Sequence, residues 1–354
     1  MKIVYNSWYG RYSDNPKAVH QALLRRGDPH EHIWLSDQQP DGGFPAGTVT
    51  VGLDTPAAVD ALESADLVIS DVHVELDWVK RPGATYVQTW HGTPLKRVHH
   101  DVLLAPDGLL DRLSLDVDRW DVLLSPNSYS TEMLRRAFRF EGPVLETGYP
   151  RNDVLLGPEA EAIRARVRRE LGIEEGRTAV LYAPTWRDDT YFDAGADASV
   201  QVALDGQAAQ ALDCVFLVRL HSKIGGGLTG ADPGWRDVSR YPDIAELYLA
   251  ADVMVTDYSS AMFDFAVTGK PIVLYPYDLD RYRDEVRGFY FDLFVDPPGP
   301  VVTTQEELIK QLRDLDTVSE RSADAYARFR QKFCHLEDGR ATERVLKHLV
   351  PGPS

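Results

Sequence analysis

Three stretches of the chain put side chains that can handle a proton or a phosphate where strands should end. In TYVQTWHGTPLKRVHHD (85–101), His91 follows an apolar, strand-like run and precedes Gly92, Thr93 and Pro94, which deny it a helix. An imidazole there, beside a glycine that lets a ligand reach the backbone, is placed for proton transfer. A lone histidine is more often structural, and Trp90 reads as pocket wall or core rather than as a stacking platform. Lys96 suits either a phosphate or a solvated helix face. His99 and His100 are expected at the surface.

In LVRLHSKIGGG (217–227), Arg219, His221 and Lys223 alternate at the end of a strand and can share one face. Groups of that kind repel one another unless an anion sits among them, and a phosphate fits. The alternative pairs Arg219 with a carboxylate elsewhere and bonds His221 to backbone. The GGG that follows has the wrong spacing for a phosphate-binding fingerprint. In TDYSSAMFDFAVTGKP (256–271), Ser259 and Ser260 open a helix that closes at Gly269. Two hydroxyls and the positive end of a helix suit a phosphate, while Asp257 or Ser259 can equally serve as a plain cap. HLEDGRATERVL (335–346) sets Asp338 and Gly339 at another helix start, with Arg340 in its first turn.

Short apolar runs alternating with helical patterns must position these groups, which argues for an α/β protein with parallel sheets. Strands are expected near Ile3–Tyr5, His32–Leu35, Val49–Gly52, Leu67–Ser70, Thr85–Thr89, Asp121–Ser125 and Val144–Thr147. Others follow near Ala179–Ala183, Val215–Leu220, Val253–Thr256 and Ile272–Tyr275. Between the first two, SDNPKAVHQALLRRG reads as a helix capped by Asp14 or Asn15 and stopped by Gly27. SADLVISD, RWDVLLSPN and AADVMVTDYSS repeat one phrase: an acidic entry, a buried strand, then Ser or Thr with Asp or Asn. In a parallel sheet those polar residues fall at carboxyl ends, where open α/β folds bind ligands. A charged helix over about 159–171 divides the chain into domains 1–158 and 159–354. At 354 residues two domains are the natural solution, and a cleft between them is the natural place for a site.

A formal net charge of -17 argues against nucleic-acid binding, so any anionic ligand must be held by local positive groups. Basic clusters at Arg25–Arg26, LRRAFRF and IRARVRRE read as solvated helix faces, with weak peripheral membrane contact as the lesser reading. Cys214 and Cys334 form no metal or redox motif and fit a reducing, cytoplasmic compartment. The start MKIVYNSWYG lacks the pattern of a secretory signal, and no apolar stretch approaches membrane-spanning length.

Each signal is modest alone, but their order along the chain resembles the CDP-glycerol glycerophosphotransferase family of teichoic-acid primases and polymerases. The phrases are SDNPKAV, TWHGTPLK, ETGYPRND, LYAPTWRDD, VRLH, DIAELYLAADVMVTDYSSAMFDFA, GKPIVLY, RGFYFD and EDGRATERV. RVHHD departs from the lysine-rich, glycine-containing stretch that usually follows HGTPLK in that family.

The resemblance implies a GT-B-like fold: two Rossmann-like domains, an acceptor side and a nucleotide-donor side, with a C-terminal helix returning to the first. It implies that His91 is the catalytic base and that His221 contacts or protonates the donor phosphate. Ser259 and Ser260, with Asp338, Gly339 and Arg340, match its donor-binding phrases, and Arg219 belongs to the same phosphate site. Gly92, Thr93, Lys96, Thr185, Trp186, Arg187, Lys223 and Asp257 would line the cleft without an assigned role. The expected reaction is attack by an acceptor hydroxyl on the β-phosphorus of CDP-glycerol or another CDP-polyol, releasing CMP, with glycerol phosphate the preferred unit. The acceptor would be lipid-linked or an oligosaccharide, in teichoic-acid or capsule synthesis. The two histidines should face each other across the cleft. No cofactor is required and no metal ligands are assigned, with assistance from a divalent ion left open. Two rivals remain: a GT-B glycosyltransferase using a nucleotide sugar, and a non-catalytic nucleotide or polymer binding module.

Overall fold

The computed structural model describes residues 1–37, 43–103, 105–185, 212–220, 235–279 and 288–349. Every strand expected from the sequence is present. In the first half they are β1 (Lys2–Asn6), β2 (Glu31–Leu35), β3 (Val49–Val51), β4 (Leu67–Ser70), β5 (Thr85–Gln88), β6 (Val122–Ser125) and β7 (Val144–Glu146). In the second they are β8 (Thr178–Ala183), β9 (Cys214–Val218), β10 (Trp235–Asp237), β11 (Val253–Thr256) and β12 (Ile272–Leu274), of which β10 was not foreseen.

The first seven strands form one parallel sheet in the order β3-β2-β1-β4-β5-β6-β7. The strand order reverses between β1 and β4, so the loops leaving those two strands open the crevice where such sheets bind ligands. Register sets Asn6 beside Ser70 and Ser70 beside Gln88, a row of buried polar side chains at the carboxyl edge. One face of the sheet is covered by α1 (Asp14–Arg25) through Val19, Ala22 and Leu23, together with Val345 and Leu346 of the C-terminal helix (Ala341–Leu349). The other is covered by α2 (Pro56–Ser64) and α4 (Ser128–Phe138), with Leu62, Leu134 and Phe138 in the core; α3 (Leu109–Val117) adds Val117.

A second parallel sheet has the order β10-β9-β8-β11-β12, reversing between β8 and β11. Its helices are α5 (Ala160–Glu170), α6 (Ile244–Ala250), α7 (Ala261–Phe265), α8 (Gln305–Leu312) and α9 (Leu315–Phe333). Val180, Phe216, Val255 and Val273 pack with Leu308 and Leu312 of α8 to form its core. The charged helix expected over 159–171 is α5.

Two compact units result. The first comprises residues 1–93, 98–153 and those from Leu336 onward, and the second 94–97 and 154–335. The seam thus lies a few residues before the expected 158/159 boundary, and the C-terminal helix packs with the first unit.

Candidate active site

His91 lies in the loop after β5, half-buried. Its Nδ1 is 2.5 Å from the backbone oxygen of Asp71, in the loop after β4. A carbonyl can only accept, so Nδ1 carries the hydrogen and neutral Nε2 is left with its lone pair. Nε2 has no partner among the described residues. Trp90 stacks on the ring at 4.0 Å and Trp8 meets it edge-on at 4.4 Å. Burial lowers the imidazole pKa to about 4, the Asp71 bond and Asp14 opposing the shift while Arg151 and His73 add to it. The His91 ring is therefore uncharged near neutral pH.

The peptide carrying His91 is held from both sides. Asp71 is fully buried, with Ser7 Oγ donating to its Oδ2 at 2.9 Å across the β1/β4 switch point. Burial, then the nearby Asp14, pushes the Asp71 carboxyl well above its usual range. Gln88 Oε1 accepts Trp90 N–H at 2.9 Å, and Asn15 Nδ2 donates to the Trp90 carbonyl at 3.0 Å. Trp90 packs against the apolar core through Phe138, the core half of the sequence expectation. Gly92 N–H donates to Tyr149 Oη at 3.2 Å, and buried Thr93 accepts from Asn127 Nδ2 at 3.2 Å.

Asp14 and Asn15 do not cap α1, contrary to the sequence expectation. The N-cap is Ser13, and both side chains turn toward the His91 loop and Arg151. Asp14 takes two bonds from Arg151 Nη1 at 2.8 Å, and Asn15 Oδ1 accepts Arg151 N–H at 3.1 Å. Arg151 lies over the ring of Tyr149, whose own N–H reaches Glu337 Oε1 at 3.0 Å. Four phrases far apart in sequence, SDNPKAV, TWHGTPLK, ETGYPRND and EDGRATERV, are thus linked into one network of bonds. Tyr9, Asp14 and Trp90 all hold left-handed backbone there, with φ of 50°, 62° and 51°. Non-glycine residues adopt that conformation only where their surroundings enforce it, and such strain gathers at functional sites.

Asp338, Gly339 and Arg340 belong to the first unit, at the start of the C-terminal helix. Asp338 accepts two bonds from Arg344 Nη1, at 2.8 and 2.9 Å, and Gly339 has φ of 80°. Arg340 is exposed. The first helical N–H groups, of Ala341 and Thr342, both donate to Asp153 at 2.8 Å, so a carboxylate already occupies that helix end.

In the second unit, buried Asp257 after β11 accepts Thr185 N–H after β8 at 2.8 Å, spanning that sheet's switch point. Ser259 and Ser260 are half-buried where α7 begins. Arg219 Nη1 donates to the carbonyls of Val238 and Tyr241, at 2.9 and 2.7 Å, bracing the turn after β10. Lys96 sits in an extended segment paired antiparallel with Phe289, not in a helix. Trp186, Arg187, His221 and Lys223 lie outside the described residues. Among the described residues no group of three or more His, Cys, Asp or Glu is placed to hold a metal ion.

The sequence reading missed Asp71 as the partner of His91, although it closes one of the repeated strand phrases. It also missed Tyr149 and Arg151 as contacts, although both stand in a phrase singled out for resemblance. His99, expected at the surface, is buried and stacked on His73.

The sequence profile of CDP-glycerol:poly(glycerophosphate) glycerophosphotransferases matches residues 1–351. The chain belongs to this family. It is 39% identical to the teichoic acid glycerol-phosphate transferase of Staphylococcus aureus, over 98% of this chain and 92% of that protein. The wall teichoic acid polymerase TagF superposes with a TM-score of 0.90 at 33% identity, over 98% of this chain and 88% of the other. A UDP-GlcNAc 2-epimerase from Neisseria meningitidis shares the fold alone, with a TM-score of 0.58 at 13% identity over 99% of this chain and 100% of that one. The glycerophosphotransferase fold seen here is GT-B-like, as the sequence implied. No helix among its described residues is long and apolar enough to cross a membrane.

Proposed function

We propose that the protein transfers glycerol phosphate from CDP-glycerol to a hydroxyl of a teichoic-acid precursor, releasing CMP, with His91 as general base. The observation that carries this reading is the fixed tautomer of His91: Nδ1–H is committed to the Asp71 carbonyl and Nε2 is left to accept a proton. The acceptor hydroxyl gives its proton to Nε2 as its oxygen attacks the β-phosphorus. The bond from that phosphorus to the CMP oxygen breaks, leaving a phosphodiester. Catalysis of this kind consists of positioning and charge stabilisation with one base. Ser259 and Ser260 are assigned to the donor phosphates by the match of their phrase and by their half-exposed place at a helix start. His221 and Arg340 are assigned to the donor by phrase alone. The acceptor we assign is lipid-linked or an oligosaccharide, met at the cytoplasmic face through weak peripheral contact.

Support for the donor comes from the relatives, since the TagF structure that superposes at a TM-score of 0.90 is of a variant soaked with CDPG. The test is product analysis with a panel of CDP-glycerol, CDP-ribitol and nucleotide sugars, each with several acceptors. CMP released from CDP-glycerol in step with a new phosphodiester supports the assignment. A nucleoside diphosphate released from a nucleotide sugar would instead establish a glycosyltransferase.

A further inference from the structure

Gln88, at the end of β5, is fully buried and reaches two loops at once. Its Oε1 accepts Trp90 N–H at 2.9 Å, in the loop that carries His91. Its Nε2 donates to the Val72 carbonyl at 3.1 Å, in the loop that supplies the Asp71 carbonyl. A backbone N–H only donates and a carbonyl only accepts, so these partners fix which way the amide points. One side chain therefore ties together the two segments that meet in the bond from His91 Nδ1 to Asp71.

Gln88 ends a row of buried polar side chains that crosses three central strands. Asn6 Nδ2 donates to Ser70 Oγ at 3.0 Å, and Ser70 Oγ donates to the Val72 carbonyl at 2.6 Å while accepting Val72 N–H at 3.3 Å. The Val72 N–H and the Asp71 carbonyl belong to one planar peptide, so holding the first aims the second. Cohesion of the sheet does not call for such a row. Ile69 and Val87, one residue earlier on the same strands, are apolar and buried, and a buried polar group is costly unless it is bonded. On the other side of the amide, Trp90 holds left-handed backbone at φ 51°. Such a conformation persists only where the surroundings enforce it, and the bond from Trp90 N–H to Gln88 is part of that enforcement.

We propose that Gln88 is a positioning residue for the transfer. By spanning the two loops it holds the Asp71 carbonyl in line with His91 Nδ1, which keeps the hydrogen on Nδ1 and leaves Nε2 to take the acceptor's proton. This rests on the reading of His91 as the base of a CDP-glycerol transferase.

Wild type, Gln88→Met and Gln88→Glu are compared. Methionine matches the length of glutamine without its hydrogen bonds. A carboxylate keeps the bond to Trp90 but turns an acceptor toward the Val72 carbonyl, and once protonated it donates there again. Nitrogen-15 spectra of histidine-labelled protein read the tautomer without turnover, His91 being assigned by its absence from His91→Ala. Wild type should show His91 with its hydrogen on Nδ1 alone, and Gln88→Met a mixture of both tautomers. In CMP release from CDP-glycerol with acceptor, Gln88→Met should lower kcat by roughly 10- to 100-fold, with each KM moved by less than about threefold. Gln88→Glu should lose as much at about pH 8 and regain most of it toward about pH 6, because burial raises the pKa of the introduced carboxyl and lets it take up a proton in that range. Should Gln88→Met fail to fold, Gln88→Glu at the two pH values carries both readouts. A pure Nδ1–H tautomer in the variants, or a loss in Gln88→Glu that does not ease on acidification, overturns the proposal. A tautomer that shifts while kcat holds would sink His91 as the base and leave the Gln88 clamp standing. Absence of CMP release by wild type from any CDP-polyol would sink the transferase reading, with the spectra still deciding the clamp.

Discussion

At the scale of single residues, the decisive feature is that His91 has one nitrogen spoken for and one left over. The Asp71 carbonyl fixes which is which, and burial keeps the ring neutral by lowering its pKa to about 4. A base loses activity when protonated, so the sign is plain: kcat/KM should fall as pH drops through the free-enzyme pKa. An ordinary histidine would place that limb near pH 6.5. Here kcat/KM should stay flat from neutral pH to about 5.5 and decline only below it. A limb centred near 6.5 would mean that His91 is better solvated than its setting implies, or that another group is titrating.

At the scale of elements, the first unit is tied together by loops whose side chains serve two segments at once. Asp153 caps the C-terminal helix by taking two of its leading N–H groups at 2.8 Å, which bonds the end of the chain to the ETGYPRND loop. Loss of a helix cap costs about 1–2 kcal/mol. Asp153→Ala should therefore lower the urea midpoint of unfolding at unchanged m-value, with Asp153→Asn falling between, and an unmoved midpoint would show the cap to be dispensable. Strands were the most legible elements, because buried parallel strands read as short apolar runs and their ends repeat one polar phrase. β10 escaped because three residues at a sheet edge, Trp235–Asp237, carry no alternation. The end of α1 was misread for an informative reason. Asp14 and Asn15 have the chemistry of caps, yet in the fold they serve the His91 and Arg151 loops, and local rules fail most where tertiary function overrides them. His99 was misjudged because the His73 and Phe138 rings that bury it come from distant segments.

At the scale of the whole molecule, both sheets use the same device at their switch points. A buried aspartate after one central strand holds a residue after the other, Asp71 with Ser7 in the first unit and Asp257 with Thr185 in the second. That repetition was half visible in the sequence as recurring Ser/Thr–Asp phrases, but which copy bonds a histidine and which sits beside serines emerges only from the fold. A chain of net charge -17 that belongs to a family handling anionic donors must place its attraction locally. The central claim is that His91 takes the proton in glycerol-phosphate transfer. The most direct measurement is single-turnover CMP release from CDP-glycerol with acceptor, made on wild type and His91→Ala alongside calorimetric donor affinity. Transfer should slow by roughly 10²- to 10⁴-fold while CDP-glycerol binds about as tightly as before. Near-normal transfer by His91→Ala would contradict the account.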